Sequence, residues 1–192
     1  MGIYIYTGTV DIFGGKFTGG SVTGKGGGGA IALEDNSSTL NIYGGEISGN
    51  NGNGKGGAIY TKSGGTINMY GGRIAQNKAY RGGGLCLNGS GTLNMYGGLI
   101  ENNSSTASWD TIPANSGNVY VAANAVMNAN AGVVRGGGYA VFNLGTIQTD
   151  DANYPATIFY SGLYNMGGVV KGGMYYGSYM SAGGSLGGCE VN

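Results

Sequence analysis

Short runs in which aliphatic and polar residues alternate recur along the first half of the chain. In "TINMY" at 66–70, Ile67 and Met69 alternate with an asparagine and a tyrosine. Successive side chains of a β-strand point to opposite faces, so this run predicts a strand with one aliphatic face and one polar or aromatic face. Equivalent aliphatic pairs stand at Val10 and Ile12, at Leu40 and Ile42, and at Leu93 and Met95.

The alternating run opens a unit that is written three times. The copies read "LNIYGGEISGN" at 40–50, "INMYGGRIAQN" at 67–77 and "LNMYGGLIENN" at 93–103, and "VDIFGG" at 10–15 begins one more. A second short strand follows paired glycines, as in "AIAL" at 30–33, "AIYT" at 58–61, "GLCL" at 84–87 and "NVYV" at 118–121. A third is predicted from the end of each unit, as in "RIAQN" at 73–77.

Each unit offers the same residue type at the same place, which favours stacking of every unit on its copy. The glycine pairs between the strands suit tight corners, because glycine adopts backbone angles that other residues avoid. The sequence therefore predicts an all-β fold, a single-chain parallel β-helix or solenoid with about three short strands per rung.

The period is regular only up to residue 104. Residues 1–104 are predicted to form regular β-helix rungs, 105–117 an inserted loop that carries Trp109, and 118–192 irregular rungs with a tyrosine-rich carboxy-terminal cap in the same domain. The first residues already read as repeat sequence and lack the basic start and long apolar run of a secretory signal. We therefore expect the chain to be a segment of a longer protein.

Composition narrows the functional classes. The 192 residues include 45 glycines, and nine basic and nine acidic side chains give a formal net charge of zero, which argues against a general nucleic-acid binder. No apolar stretch is long enough to cross a membrane. Cys86 and Cys189 show neither a disulfide framework nor a metal-binding spacing. No cofactor or metal is expected, although Asp150 and Asp151 leave a calcium site open.

Two short motifs resemble those of bacterial surface proteins. "GGAI" at 28–31 and 56–59 occurs with "ISGN" at 47–50, "IAQN" at 74–77 and "IENN" at 100–103. The combination is similar to the GGA[ILV] and FxxN repeats of chlamydial polymorphic outer-membrane proteins, and to the GGxISGN repeats of large surface proteins of gut bacteria. The resemblance implies a right-handed, pectate-lyase-like parallel β-helix, an extracellular place at the cell surface, and an adhesive role without catalysis.

Stacked repeats turn a repeated residue into a column of like residues. At the corner that ends each unit, Asn50, Asn77 and Asn103 are predicted to form a structural asparagine ladder. On the outward face, an aromatic column is predicted from Phe13, Tyr43, Tyr70 and Tyr96. Such rings either stabilise the sheet through cross-strand contacts, or hold sugar rings, or pack against a neighbouring chain.

Basic residues precede a pair of glycines at five places, namely Lys25, Lys55, Arg81, Arg135 and Lys171. If they share one edge of the fold, they form a basic corner ladder. A local patch of this kind attracts an acidic polysaccharide even when the net charge is zero. Alternatively, the charges keep a glycine-rich corner soluble and protect it from edge pairing.

The sequence does not favour an enzyme. It contains no histidine, and its acidic residues are scattered apart from the adjacent pairs Glu34 with Asp35 and Asp150 with Asp151. We expect a non-catalytic structural or adhesive segment of a surface or secreted protein, with a polysaccharide or host ligand as partner. A glycan-binding β-helix module and a fibre subunit that stacks on itself end to end are the alternatives.

Overall fold

The structure is a computed structural model that describes residues 2–24, 26–107, 117–136, 138–149, 157–171, 174–176, 179–181, 183–187 and 190–191. Within these ranges every regular element is a β-strand, and no helix is long and apolar enough to cross a membrane. The strands are β1 (Ile3–Ile5), β2 (Gly8–Ile12), β3 (Lys16–Thr18), β4 (Ile31–Leu33), β5 (Ser38–Ile42), β6 (Glu46–Ser48), β7 (Ile59–Thr61), β8 (Thr66–Met69), β9 (Arg73–Ala75), β10 (Lys78–Ala79), β11 (Leu85–Leu87), β12 (Thr92–Glu101), β13 (Ser104–Ser105), β14 (Val119–Val121), β15 (Val126–Arg135), β16 (Val141–Asn143), β17 (Thr146–Gln148), β18 (Ile158–Tyr160), β19 (Leu163–Asn165), β20 (Val169–Lys171), β21 (Met174–Tyr176), β22 (Tyr179–Ser181), β23 (Ser185–Gly187) and β24 (Glu190–Val191).

The strands form two large sheets in which each strand pairs in parallel with its counterpart in the next repeat. The first sheet has the order β1-β4-β7-β11-β14-β16-β19-β22. The second has the order β2-β5-β8-β12-β15-β17-β20-β23, and the short strands β3, β6, β9, β18, β21 and β24 belong to it as a third strand of the repeat. The expected all-β fold with parallel strands is confirmed.

The register aligns equivalent residues of successive repeats, and such a set of aligned residues is called a column below. Ile42, Met69 and Met95 are aligned on one face of the second sheet and are at most 1% exposed. They pack in one hydrophobic cluster with Ile31, Ile59 and other residues of the first sheet. The predicted aliphatic face is therefore the face that lines the core.

The first sheet is buried on both faces in its central part. The middle residues of β7, β11, β14 and β16 are Tyr60, Cys86, Tyr120 and Phe142. They form a second hydrophobic cluster together with Ala107. Rings of Tyr120 and Phe142 stack with centroids 5.4 Å apart. Cys86, for which the sequence shows neither a disulfide nor a metal-binding pattern, is fully buried as a small side chain in this cluster.

Glycine is required at the corners where successive repeats touch. A Cβ added to Gly57 would lie 1.9 Å from the carbonyl oxygen of Gly83, closer than any side chain approaches backbone. Gly72, the second glycine of "MYGGR", has φ +81°, a conformation that L-residues rarely adopt. The repeated glycines therefore reflect close contact between repeats and sharp turns.

The described part of the predicted insertion continues the sheet structure. Ser105 belongs to β13, which pairs with β10, and Ala107 is buried, while 108–116 with Trp109 lie outside the described residues. Beyond residue 118 the parallel pairing continues through β24. The side chains of the tyrosine-rich tail from 172 onwards, apart from residues 183–184, lie outside the described residues, as do Cys189, Asp150 and Asp151.

Candidate functional site

The asparagines at the corner form a buried, directional column. The Nδ2 of Asn50 donates to Oδ1 of Asn77 (2.8 Å), that of Asn77 to Asn103 (2.9 Å), and that of Asn103 to Asn118 (2.9 Å). Each acceptor Oδ1 also receives the backbone N–H of the donating asparagine, at 3.0–3.1 Å. All of these asparagines are at most 2% exposed. Their amides are therefore fully engaged in holding successive corners together.

Asn118 extends this column beyond the three residues recognised in the sequence. It stands only 15 residues after Asn103 and does not end an "IxxN" motif, so the repeat spacing gave no sign of it. At the other end the first repeat has Gly20 where later repeats have asparagine, and the N–H of Gly20 donates to Oδ1 of Asn50 (2.8 Å). A Cβ at Gly20 would lie 2.3 Å from the Gly29 carbonyl oxygen, which explains the glycine.

A second amide column runs along the outward face of the second sheet. Each side-chain amide donates to the preceding member, over distances of 2.7–3.0 Å, through Asp11, Asn41, Asn68, Asn94, Asn128 and Gln148. Two residues before these, a threonine column follows the same register with Thr9, Thr39, Thr66 and Thr92. In the sequence these asparagines appear only as polar residues that alternate with the aliphatic pairs, and the continuous ladder was not predicted.

The aromatic residues at equivalent positions of the repeats form a stacked column, as the sequence predicts. The rings of Phe13, Tyr43, Tyr70 and Tyr96 stack in order, with centroids 4.9, 5.0 and 5.2 Å apart and planes within 11° of parallel. Phe13 is 75% exposed, and Tyr43 and Tyr70 are each 44% exposed. Because the faces cover one another, the rings of Tyr43 and Tyr70 present edges to solvent rather than the flat surfaces that a sugar ring would cover.

Charged side chains from two neighbouring columns of the third strands form a row of alternating ion pairs. Glu46 pairs with Lys16 (3.2 Å) and Arg73 (3.4 Å), and the carboxylate of Glu101 accepts from Nε of Arg73 (2.7 Å) and of Arg135 (2.8 Å). The side chain of Glu101 is 8% exposed. The hydrogen bond from Arg73 lowers the pKa of Glu101, and that from Arg135 acts in the same direction.

The five basic residues do not share one edge, so the predicted corner ladder is corrected. Lys55 and Arg81 are aligned, but Arg135 is aligned with Glu101 and Lys171 with Gln148. Lys25 lies outside the described residues. "VVRGG" and "VVKGG" look alike in the sequence, yet the first pairs with β18, a third strand of the repeat, and the second pairs with β17, a second strand, so they fall on different columns.

Lys55 and Arg81 interact with rings on the outer face of the first sheet. The Nζ of Lys55 lies 5.5 Å from the centroid of Tyr60, and the guanidinium of Arg81 lies 5.6 Å from that of Tyr120, distances typical of cation–π contacts. Burial raises the pKa of Tyr60 to about 12, and burial likewise raises that of the Cys86 thiol to about 12. Neither group is an ionised nucleophile at neutral pH.

Acidic side chains near the amino terminus of the chain are engaged in structural pairs. Glu34 accepts a hydrogen bond from the Tyr4 hydroxyl and pairs with Lys62 at 2.7 Å, and Asp35 accepts from Ser37. Among the described residues no group of three histidine, cysteine, aspartate or glutamate side chains could hold a metal ion. These acidic side chains therefore contribute to contacts between neighbouring parts of the fold.

Comparison of the chain with family models, curated proteins and solved structures gives no match. The columns themselves are therefore the basis for assigning a function.

Proposed function

We propose that the chain closes into a parallel β-helix and serves as a rigid, non-catalytic segment of a surface-exposed or secreted repeat protein. The observation that carries the proposal is the continuity of its columns. Amide, aromatic and charged side chains each link one repeat to the next through the stack. A repeat array of this kind resists bending, because displacing one repeat breaks contacts in several columns together.

Closure of the coil is supported by the division of each repeat among the sheets. One strand of a repeat lies in the first sheet and two lie in the second, and their inward residues share one hydrophobic cluster. Some of the corners that connect these strands contain a glycine with no room for a Cβ, as at Gly57 and Gly83. The resemblance of the GGAI and IxxN motifs to bacterial surface repeats is the ground for placing such a rod at the cell surface, as a stalk or adhesive segment.

The proposed role as a rigid segment, called the spacer role below, is tested by placing the chain between two fluorescent domains. The measurement is the distribution of the distance between the two domains. A rigid rod gives a narrow distribution, whereas a glycine–serine linker of the same number of residues, the matched control, gives a broad one. Labelling of intact source cells with a reagent that does not enter them tests surface exposure. A distribution as broad as that of the linker contradicts the spacer role.

A second candidate is binding of an extended neutral polysaccharide on the outward face of the second sheet. Each asparagine of this outward, half-buried column uses one amide N–H in the ladder, which leaves its other N–H for a ligand in every repeat. Tyrosine ring edges and threonine hydroxyls flank these amides. Because each rotamer is already held by its neighbours, little ordering is required on binding.

Co-sedimentation with insoluble cellulose and chitin tests this candidate. The double variant Asn68→Ala with Asn94→Ala is expected to lose binding, while Lys62→Ala, a variant at an exposed residue of another column, is expected to retain it. Absence of wild-type binding to both polymers contradicts polysaccharide binding of this kind and leaves the spacer role untouched.

A further inference from the structure

The outward face of the second sheet carries the same polar groups in successive repeats. The three repeats with strands β5, β8 and β12 each present a threonine, an asparagine and a tyrosine on this face. In the middle repeat these residues are Thr66, Asn68 and Tyr70. Ladder hydrogen bonds hold the asparagines, and ring stacking holds the tyrosines, so both columns are fixed in orientation before any ligand is bound.

The columns on this face run nearly straight. The ring planes of Tyr43 and Tyr70 differ by 6°, and those of Tyr70 and Tyr96 by 11°. Adjacent strands of an open sheet are usually rotated by about 20–25°, which turns a column of side chains into a spiral. The column here turns much less from one repeat to the next. Its shape therefore suits a polymer whose units follow one another in a line, and not a polymer that coils.

The distance between repeats sets the length of the polymer unit that matches them. The stacked ring centroids lie 5.0 and 5.2 Å apart, close to the separation of paired β-strands, about 4.8 Å. In an extended β-1,4-linked polysaccharide each sugar advances the chain by nearly the same distance. Chains of the same sugar with α-1,4 or β-1,3 linkages curve into helices instead. One sugar of a β-1,4-linked chain therefore stays opposite one repeat over several repeats.

Each repeat offers the same hydrogen-bond donor to such a sugar. Within the described structure, Nδ2 of Asn68 donates once, to Asn41 (2.8 Å), and Nδ2 of Asn94 donates once, to Asn68 (2.7 Å). A side-chain amide carries two N–H donors, so one per repeat is left for a sugar hydroxyl. Alternate sugars of a β-1,4-linked chain present opposite edges, and both edges carry hydroxyls that accept such a bond. Threonine, asparagine and tyrosine are uncharged at neutral pH, which suits a neutral polymer.

Resting on the polysaccharide-binding candidate proposed above, we infer that this face binds a β-1,4-linked polysaccharide that lies parallel to the stacking direction of the strands, with one sugar against each repeat. The asparagine column lies under the chain, and the threonine and tyrosine columns flank it. Linkage, direction and register are properties that the binding of an extended polysaccharide alone does not fix.

Calorimetric titration of the wild-type chain with three glucose hexasaccharides tests the linkage. Cellohexaose (β-1,4), laminarihexaose (β-1,3) and maltohexaose (α-1,4) differ in linkage alone. Cellohexaose is expected to bind at least about tenfold more tightly than the other two, because a chain out of register with the repeats loses hydrogen bonds. Affinity is also expected to rise from cellobiose to cellotetraose, because each added sugar meets the asparagine of one more repeat. Equal affinity for the three hexasaccharides, or no binding of cellohexaose, overturns the inference.

A variant at the threonine column tests where the chain lies without removing a ladder amide. Thr66→Arg places a long side chain over the middle repeat, so it is expected to keep the wild-type melting temperature and to lose at least about tenfold in affinity for cellohexaose. The matched control is Thr23→Arg, the same change at an exposed threonine outside the second sheet, and it is expected to bind as the wild type does. Unchanged binding by Thr66→Arg overturns the inference.

The outcomes separate the inference from the candidate on which it rests. Binding of cellulose or chitin without preference among the hexasaccharides leaves polysaccharide binding standing and rejects the register of one sugar per repeat. Absence of binding to both polymers and to all three hexasaccharides rejects the polysaccharide-binding candidate itself. Because the hexasaccharides are compared on the wild-type chain, this result does not depend on the folding of any variant.

Discussion

The side-chain amide of Asn77 occupies a site that only an amide satisfies. Its Nδ2 lies 2.9 Å from the Ile47 carbonyl and from Oδ1 of Asn103, and its Oδ1 accepts from both nitrogens of Asn50. The residue is fully buried. An aspartate keeps the acceptor but loses both donors, and it places a charge against two oxygens.

Asn77→Asp is therefore expected to lower the free energy of unfolding by on the order of 3 kcal/mol or more. The same change at Asn68, which belongs to the half-buried outward column, is expected to cost about 1 kcal/mol, because water can reach the new carboxylate. Urea denaturation of both variants measures the difference. Equal losses would show that burial of the corner column contributes nothing.

Glu101 makes the stability of the chain depend on pH. Its folded-state pKa is lowered, so its stabilising effect is present above the ordinary glutamate range and is lost as the pH falls through the folded-state pKa. At neutral pH, Glu101→Gln is expected to reduce the free energy of unfolding by about 1–3 kcal/mol, the range for hydrogen bonds to charged groups. The difference from wild type should shrink with acidification. A difference that is constant from neutral to acidic pH argues against this role.

Within the second sheet, the aromatic column links strands across their outward face. Tyr70 stacks on two neighbours, whereas Phe13 stacks on one. Tyr70→Ala is expected to cost about 1–2 kcal/mol and Phe13→Ala about half as much, since each stacked pair contributes roughly 0.5–1 kcal/mol. A double-mutant cycle of Tyr43 and Tyr70 measures the coupling directly. Absence of coupling would mean that the rings align without stabilising the sheet.

The sequence predicts the burial of strands with one buried face better than that of strands buried on both faces. Strands β5 and β8 alternate in burial, and "TINMY" predicts both the core residue Met69 and the outward residue Asn68. Strands β7, β11 and β14 are three residues long and buried throughout. Their outer face is covered partly by Ala107, which is distant in sequence from Tyr60 and Phe142. The alternation of residue types shows which face of a strand is apolar, but it does not show which distant residue covers the outer face.

Column membership was predictable only where repeats have equal length. The steps along the outward amide column are 30, 27, 26, 34 and 20 residues. The constant spacing in the middle makes the rings and Asn50, Asn77 and Asn103 visible in the sequence. Arg135 and Lys171 follow the irregular steps, so their similar surroundings suggested a shared edge that the register does not support.

Across the chain as a whole, protection from exchange should follow position in the stack. Each interior repeat is bonded on both sides, whereas β1, β2 and β3 are bonded on one side only. Native-state hydrogen exchange is expected to be slowest in β7 to β12 and fastest in β1 to β3, because edge strands open without disturbing the rest. Uniform protection throughout would instead indicate a single cooperative unit with a covered end.

The one-way direction of the amide columns has an evolutionary consequence. In the outward column each asparagine donates to the repeat before it and accepts from the repeat after it, and in the buried corner column the direction is reversed. A tandem duplication of one complete repeat would thus bring its own donor and acceptor and fit at any interior place. Insertions at corners would be absorbed, as the steps of 20 to 34 residues show. Loss of part of a repeat would instead misalign every column at once, so length should vary between descendants of this gene in whole repeats.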